Sequence, residues 1–439
     1  MYIINEKDFF DYEEKILLVN YLTGACDVID SELKIKIKNQ RFNLIEQNIM
    51  KKLLDRGYVV ENKKKYEEYI QNLDTKISIK EKEIVPNFLL IPSYECNFKC
   101  SYCYEQKYNH SIYKKNRQWI KYAFEFIDNL ANKYLNCNKM KTKKDIVITL
   151  MGGEPLMLKN KKEISLIISE IGKRQYTYNI ISNGYEIDCY MNCFLNNPPS
   201  AVQITLDGLK ETHNLRRKSK ENFETFDKII KNIHLLVKEE IPVQIRINVD
   251  QNNIKDTKQL VNFLKEEFND SMYCKPYMYP IQDGGCLNQE IVLDEAECIK
   301  EINRIYQNNE QGCTCIFHGS DFVHAIKHNM PMKYKMKNCS ANKVQYILDS
   351  SGNIYKCWFG VGNKAFSLGS YFSPQLINWE KDLLWQTRSI ETLSQCKKCK
   401  YRYLCGGGCL SHVYKTDDDI QKPRCIDYYT ILKEQFRYL

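Results

Sequence analysis

The chain has no apolar run approaching the ~20 residues that a membrane-spanning helix needs, which argues against a membrane-embedded protein. Its opening, MYIINEKDFFDYEEK, carries acids where a secretory signal needs a basic and then an apolar stretch. Both features lead us to expect a cytoplasmic protein. Internal repeats are also missing, apart from an alternation of strand-like and helix-like segments. The formal net charge is +9. No aromatic-interleaved binding motif accompanies that charge, so nucleic acid is not an expected partner. The excess lies in short clusters, KMKTKK (139–144), RRKSK (216–220) and KYKMK (333–337). Solvated lysine accounts for such clusters, and docking of an acidic partner is the sharper alternative.

What is present is a soluble-type composition over 439 residues, 43% hydrophobic and 27% charged, enough for two or three domains. Cysteine stands out, with 19 residues. Disulfides are disfavoured in the cytoplasm, so clustered cysteines there point to metal. Three lie within CNFKCSYC (96–103) and seven between 339 and 425. For most of the others a small buried apolar role is the default.

Three segments emerge. Residues 1–85 read as a small α+β module. KILLVNYLTGACDVID (15–30) is two strands around a Thr-Gly turn, and RFNLIEQNIMKKLLDRGYVV (41–60) is an amphipathic helix ending at Gly57, then a strand. That order suggests a winged-helix-like unit, followed by a charged connecting segment at 63–83. Residues 86–290 alternate apolar strands (87–93, 145–151, 177–182, 201–207, 242–250 and 275–281) with helical patterns such as 117–135 and 222–239. Repeated βα units predict a parallel sheet, either a six-stranded partial barrel or an open sheet. Sites in such folds sit at the C-terminal ends of strands. The loops there contain the 96–103 cysteines, GGEP, NGYE and DGLKETH. Residues 291–439 begin with a helix (294–309) and become Cys-rich.

Cys96, Cys100 and Cys103 are spaced C-x3-C-x2-C. One reading is a zinc site completed by a fourth ligand such as His110, and another is a redox pair on the C-x2-C half. The third is an iron–sulfur cluster on three thiolates with one iron left open. With Tyr102 as the aromatic before the last cysteine, the motif resembles the signature of radical SAM enzymes. The resemblance implies a [4Fe–4S] cluster on Cys96, Cys100 and Cys103. Its open iron would chelate the amino and carboxylate groups of S-adenosylmethionine (SAM). One electron would then cleave a sulfonium C–S bond, and the 5′-deoxyadenosyl radical would take a hydrogen from substrate. Gly152, Gly153, Glu154 and Pro155 match the family's GGEP motif. There the glycines let backbone approach a ligand, and Glu154 accepts from the SAM ammonium. Ser182 and Asn183 stand where the family often has TNG near the ribose. Thr205, Asp207, His213 and Arg217 fit a pattern common in peptide-modifying members, with Thr205 and Arg217 toward the SAM carboxylate. Arg246, Asn248 and Asp250 alternate on one strand face, Asn248 toward the adenosine. A general base is not singled out: Asp207, Asp250 and several tyrosines qualify.

The C-terminal cysteines, with Cys339, then G-x4-C ending at Cys357, then CKKCKYRYLCGGGC and Cys425, resemble the SPASM domain of radical SAM peptide-modifying enzymes. Two auxiliary [4Fe–4S] clusters are implied, making three in all. Cys396, Cys399, Cys405 and Cys425 would ligate one. Cys339, Cys357 and Cys409 would ligate the other, with Cys313, Cys315 or an open position completing it. Overall the resemblance is to ribosomal-peptide maturases. It implies an enzyme that installs a thioether or other crosslink in a precursor peptide whose leader binds the N-terminal module by β-augmentation. It also implies an acidic electron donor such as flavodoxin or ferredoxin. Two alternatives stay open: an anaerobic sulfatase-maturing enzyme that generates formylglycine, and a non-enzymatic iron–sulfur electron-transfer or sensor protein.

Overall fold

The computed structural model describes residues 2–3, 7–82, 86–103, 105, 115–137, 140–281, 292–306, 314–410 and 421–437. His110 and Cys313 lie outside the described residues. The chain divides into two compact units, one of residues 1–83, 318–342 and 387–439, the other of residues 84–317 and 343–386.

In the first unit, β1 (Tyr2–Ile3) pairs antiparallel with β5 (Val59–Val60), while β2 (Lys7–Asp11), β3 (Ile16–Asn20) and β4 (Cys26–Ile29) form an antiparallel sheet in that order. β3 and β4 are the strands expected around the Thr-Gly turn. The expected helix is Gln47–Asp55, which stops before Gly57, a residue with φ 75°. Residues 63–83, expected as a charged connector, are instead mostly a helix, Lys63–Lys82. The charge masks an apolar stripe at Tyr66, Ile70, Leu73 and Ile77. Leu73 and Ile77 are buried against Leu22, Met336, Leu393 and Tyr403. Lys63 with Glu67 and Lys64 with Glu68 add i,i+4 pairs on the outside. The first sheet packs through Phe10, Leu17, Val19 and Tyr21 on Phe322, Tyr428, Leu432 and Phe436. Tyr21 and Tyr401 both donate to Asp8 Oδ2, at 2.7 and 2.5 Å. The N-terminal module therefore shares one core with the last helix, Tyr428–Phe436.

The second unit is built on β6 (Asn87–Ile91), β7 (Val147–Leu150), β8 (Thr177–Ser182), β9 (Ala201–Thr205), β10 (Val243–Val249) and β11 (Cys274–Pro280), the six strands expected from sequence. They run parallel. β12 (Thr314–Cys315) extends the sheet beside β11, and β13 (Gln345–Asp349) pairs parallel with β6. β14 (Asn353–Tyr355) and β15 (Ser367–Ser370) follow antiparallel, giving the order β12-β11-β10-β9-β8-β7-β6-β13-β14-β15. The helix-facing side of this sheet is apolar: Phe88, Leu90, Ile148, Ile180, Ile204 and Ile245 are all fully buried, while Thr149, Asn179, Gln203 and Arg246, at alternate positions, are only partly buried. Helices Trp119–Asn136, Lys161–Arg174, Phe226–Lys238 and Thr257–Glu267 lay apolar stripes on it. The loops at the C-terminal ends of β6 to β10 thus emerge side by side.

Candidate active site

The loop after β6 carries Cys96, Cys100 and Cys103, and its backbone is bonded on both flanks. On one flank the 151–154 turn after β7 docks: Gly153 N donates to Ser93 O (3.1 Å) and Glu154 N to Glu95 O (2.8 Å). A Cβ on Gly153 would stand 2.3 Å from Glu95 O, and one on Gly152, at φ 133°, 2.5 Å from Ser93 O. The close approach that these glycines permit is therefore to the cysteine loop itself. On the other flank Phe98 bridges Ser219, Lys99 N donates to Lys218 O and Lys220 N to Asn97 O, both at 2.8 Å.

Glu154 is 2% exposed. Its carboxylate accepts from Leu156 N (2.9 Å), Ser182 Oγ (2.8 Å) and Asn183 N (2.6 Å). Burial pushes it up to about 7, against these hydrogen bonds, which lower it. Asn183 Nδ2 in turn donates to Asn97 Oδ1 at 2.7 Å, tying the turn after β8 to the cysteine loop. Pro155, buried, accepts from Asn160 Nδ2 at 3.3 Å.

Tyr102 proves to be a hub, more than an aromatic spacer. Its hydroxyl donates to Asp207 Oδ2 and accepts from Arg217 Nη1 (2.6 Å) and Asn248 Nδ2 (3.1 Å). Asn248 N donates to Asp207 Oδ1 (3.2 Å) and Arg246 Nε to Asn248 Oδ1 (2.8 Å). Residues from the turn after β9 and from β10 thus converge on the C-x2-C segment. Thr205, 7% exposed, ends β9 opposite Arg246.

Sequence reasoning missed two parts of this network. Arg216 is 6% exposed, donates from Nη1 to both Asp250 oxygens at 2.9 Å and lies 3.7 Å from Asp207. Its neighbour Arg217 matched the family pattern, and the RRK run read as surface charge, so nothing marked Arg216 as buried. Asn253 holds the carbonyls of Asp207 and Asn248 together, at 2.7 and 2.8 Å. His213 is fully buried with both ring nitrogens unpaired among the described residues. Burial, then Arg217 and Arg216, keeps it well below its ordinary pKa, so it packs as a neutral ring against Phe226.

Burial pushes the thiols of Cys96 and Cys103 up, to about 12 and about 11. They ionise only with a cation to compensate, as metal ligation supplies. Among the described residues no three His, Cys, Asp or Glu side chains close around a single ion. A cubane cluster spreads its thiolates wider than one ion does, and Cys100 stays within electrostatic range of both Cys96 and Cys103. Arg217 Nε is buried and unpaired among the described residues. A buried guanidinium donor left over beside the cysteine loop fits an anionic group such as a carboxylate.

The C-terminal cysteines are held differently. Cys339, Cys396, Cys399, Cys405, Cys409 and Cys425 belong to the first unit and Cys357 to the second, as does Cys315, on β12. Gly406, Gly407 and Gly408 are all left-handed, at φ 69°, 89° and 74°. A Cβ on Gly406 would stand 2.5 Å from the Lys337 backbone, and one on Gly408 2.0 Å from Arg424 O. These glycines bring the 405–409 loop against the segments that carry Cys339 and Cys425. Buried Arg388 donates to the carbonyls of Gly408 (3.1 Å), Gly407 (2.9 Å) and Lys422 (2.8 Å). Cys405, Cys399 and Cys425 lie within electrostatic range of Cys396, and Cys409 within range of Cys339.

Residues 90–264 match the family model of the Radical SAM superfamily. A cysteine-type anaerobic sulfatase-maturating enzyme of Clostridium perfringens is 25% identical over 374 residues, 78% of this chain and 93% of that protein. The radical SAM cyclopropyl synthase TigE of Paramaledivibacter caminithermalis is 22% identical, over 96% of this chain and 90% of its own. The crystal structure of Streptococcus suis SuiB bound to precursor peptide SuiA superposes with a TM-score of 0.56 at 14% identity, over 96% of this chain and 98% of that one. These likenesses place the chain among enzymes and leave the electron-transfer reading without support. Among the described residues no helix is long and apolar enough to cross a membrane.

Proposed function

We propose that this radical SAM enzyme matures a ribosomally made precursor peptide, using a 5′-deoxyadenosyl radical to install a thioether or other crosslink. The observation that carries the reading is the folded module at the N-terminus. Likeness to TigE and SuiB extends over 96% of the chain, whereas likeness to the sulfatase-maturating enzyme extends over 78%. The module's sheet has β2 and β4 as its edge strands, and β4 exposes Val28. An edge of that kind offers unpaired backbone groups to an extended leader peptide.

Cys96, Cys100 and Cys103 would hold the [4Fe–4S] cluster, which with SAM supplies the reductive C–S cleavage. Glu154, its buried carboxylate fixed by Ser182 and Asn183, would accept from the SAM ammonium, with Ser182 and Asn183 serving the ribose. Arg217, with Nε to spare, and Thr205 would hold the SAM carboxylate, and Asn248 would serve the adenosine. Asp207 and Tyr102 hold Arg217 and Asn248 in register with the cysteine loop, and Gly152, Gly153 and Pro155 shape the turn behind it. Auxiliary clusters on the C-terminal cysteines complete the assignment. A small acidic protein would supply electrons in the cytoplasm.

The 25% identity to the sulfatase-maturating enzyme supports a second reading, formylglycine generation. Mass spectrometry separates the two. Anaerobic incubation of candidate precursor and sulfatase peptides with enzyme, SAM and dithionite should remove two hydrogens per crosslink from a precursor. Exchange of a cysteine sulfur for oxygen with loss of two hydrogens, in a sulfatase peptide only, would establish the second reading instead.

A further inference from the structure

The side of the cysteine loop away from Glu154, Asp207 and Arg217 carries charge that the assignments above do not use. Phe98 and Ser219 bridge two short antiparallel segments. Alternation along them turns Phe98, Arg217 and Ser219 inward and leaves Lys99, Lys218 and Lys220 exposed. Lys99 Nζ donates to the neutral Asn222 Oδ1 at 3.0 Å. Among the described residues none of the three lysines is in an ion pair. The neighbouring acids are mostly engaged: Asp188 with Lys228, Glu224 and Asp227 with Lys210. Glu211 and Glu221, both exposed, and Glu186, which accepts from Leu158 N, are the exceptions among the described residues of this stretch.

Beside the lysines lie two half-buried rings, Tyr185 and Phe223, stacked at 4.8 Å. Ser219 Oγ accepts from Phe223 N at 2.8 Å, which fixes that pair to the lysine-bearing segment. Lys228 caps Tyr185 at 4.3 Å from the ring centroid. An aromatic centre rimmed by unpaired cations is the composition of a transient protein interface for an acidic partner. Lys99 is also the residue between Phe98 and Cys100, so whatever docks here lies against the cysteine loop. Electron transfer weakens steeply with distance, and a carrier seated on Lys99 is one residue along the chain from Cys100.

We propose that the Lys99–Lys218–Lys220 patch, with Tyr185 and Phe223, is the docking surface for a small acidic one-electron carrier protein. The inference rests on the radical SAM reading of the site. Each turnover oxidises the carrier by one electron and reduces one sulfonium, whose C–S bond breaks to methionine and a 5′-deoxyadenosyl radical.

The test compares two reductants on the intact, cluster-loaded enzyme. Formation of 5′-deoxyadenosine is measured with dithionite, which needs no docking surface, and with a reduced flavodoxin at low ionic strength. In K99E/K218E/K220E the flavodoxin-driven rate should fall by about tenfold or more while the dithionite-driven rate stays within about twofold. Salt should depress the wild-type flavodoxin rate and leave the variant's nearly flat. K99Q/K218Q/K220Q, which removes charge without reversing it, should fall between the two. An unchanged flavodoxin rate would overturn the proposal. So would equal loss in both arms for both variants, which would make the lysines part of the loop's own architecture. A raised KM for an acidic peptide substrate in the dithionite arm would assign the patch to substrate instead. No 5′-deoxyadenosine from wild type with dithionite would remove the radical SAM reading itself.

Discussion

The loop of Cys96, Cys100 and Cys103 and the loop of Cys405 and Cys409 show two ways of presenting thiols. The first is fixed from outside. The turn after β7 and residues 216–220 bond its backbone on both flanks, and Tyr102 is bonded to Asp207, Arg217 and Asn248. The second is fixed from within, by three consecutive left-handed glycines and a buried arginine that gathers three carbonyls. The difference is thermodynamic. A loop carried by a parallel sheet keeps its geometry whether or not metal is bound. A loop built of consecutive glycine turns would take more of its order from a bound metal.

The largest effect that separates the regions is replacement of Cys96, Cys100 and Cys103 together by Ala. SAM cleavage should vanish while iron on the C-terminal cysteines remains, read as 5′-deoxyadenosine by chromatography against iron per chain. Iron falling to zero would show that the two regions load as one.

Two glycines sharpen the contrast. Gly408→Ala sets a Cβ 2.0 Å from Arg424 O at φ 74°, a clash and a strained backbone together, worth about 3 kcal/mol or more. It should lower C-terminal iron and leave dithionite-driven SAM cleavage largely intact. Gly153→Ala sets a Cβ 2.3 Å from Glu95 O and should do the reverse. Matching losses from both variants would dissolve the distinction.

Tyr102→Phe removes one hydroxyl with three partners. It should lower SAM cleavage by about 10- to 100-fold, through loss of positioning worth about 1–3 kcal/mol. Iron content should stay unchanged, and melting should shift by only a few degrees.

The last effect leaves SAM cleavage aside and is a pH slope in stability, confined to the sheet-held region. Burial raises Glu154 from its ordinary 4.5 to about 7. The folded state then holds this proton more tightly than the unfolded chain does. The stabilisation is complete below the unfolded value and is lost as pH rises through about 7. Apoprotein stability should therefore decline between about pH 5 and about pH 8, by up to about 3 kcal/mol from this group. Denaturant titration of the apoprotein checks it, and Glu154→Gln should flatten the slope.

The six parallel strands were legible because each sets apolar residues at alternate positions toward the helices, in short segments separated by helical patterns. GGEP was legible through its match to the family motif, but its glycines, read as admitting a ligand, are needed for close approach to Ser93 and Glu95 of the cysteine loop. The helix at 63–82 was not, because its Lys–Glu pairs dominate the composition and its stripe of Tyr66, Ile70, Leu73 and Ile77 is narrow. Nor was β13, which pairs parallel with β6 from more than 250 residues away in the chain. Arg216 looked like surface charge until the fold buried it against Asp250.

Local chemistry is what the amino-acid sequence determined by itself: which thiols are clustered, which turns need glycine, which segments are strands. Spacing and side-chain type express those properties within a few residues. Tertiary structure alone decided the rest. It turned Tyr102 into the junction of β6, β9 and β10, divided the cysteines between a sheet-held and a glycine-held loop, and sent Arg216 and Arg217 inward while Lys99, Lys218 and Lys220 stayed out. Those outcomes depend on contacts between residues far apart in the chain, and no local pattern encodes the partner.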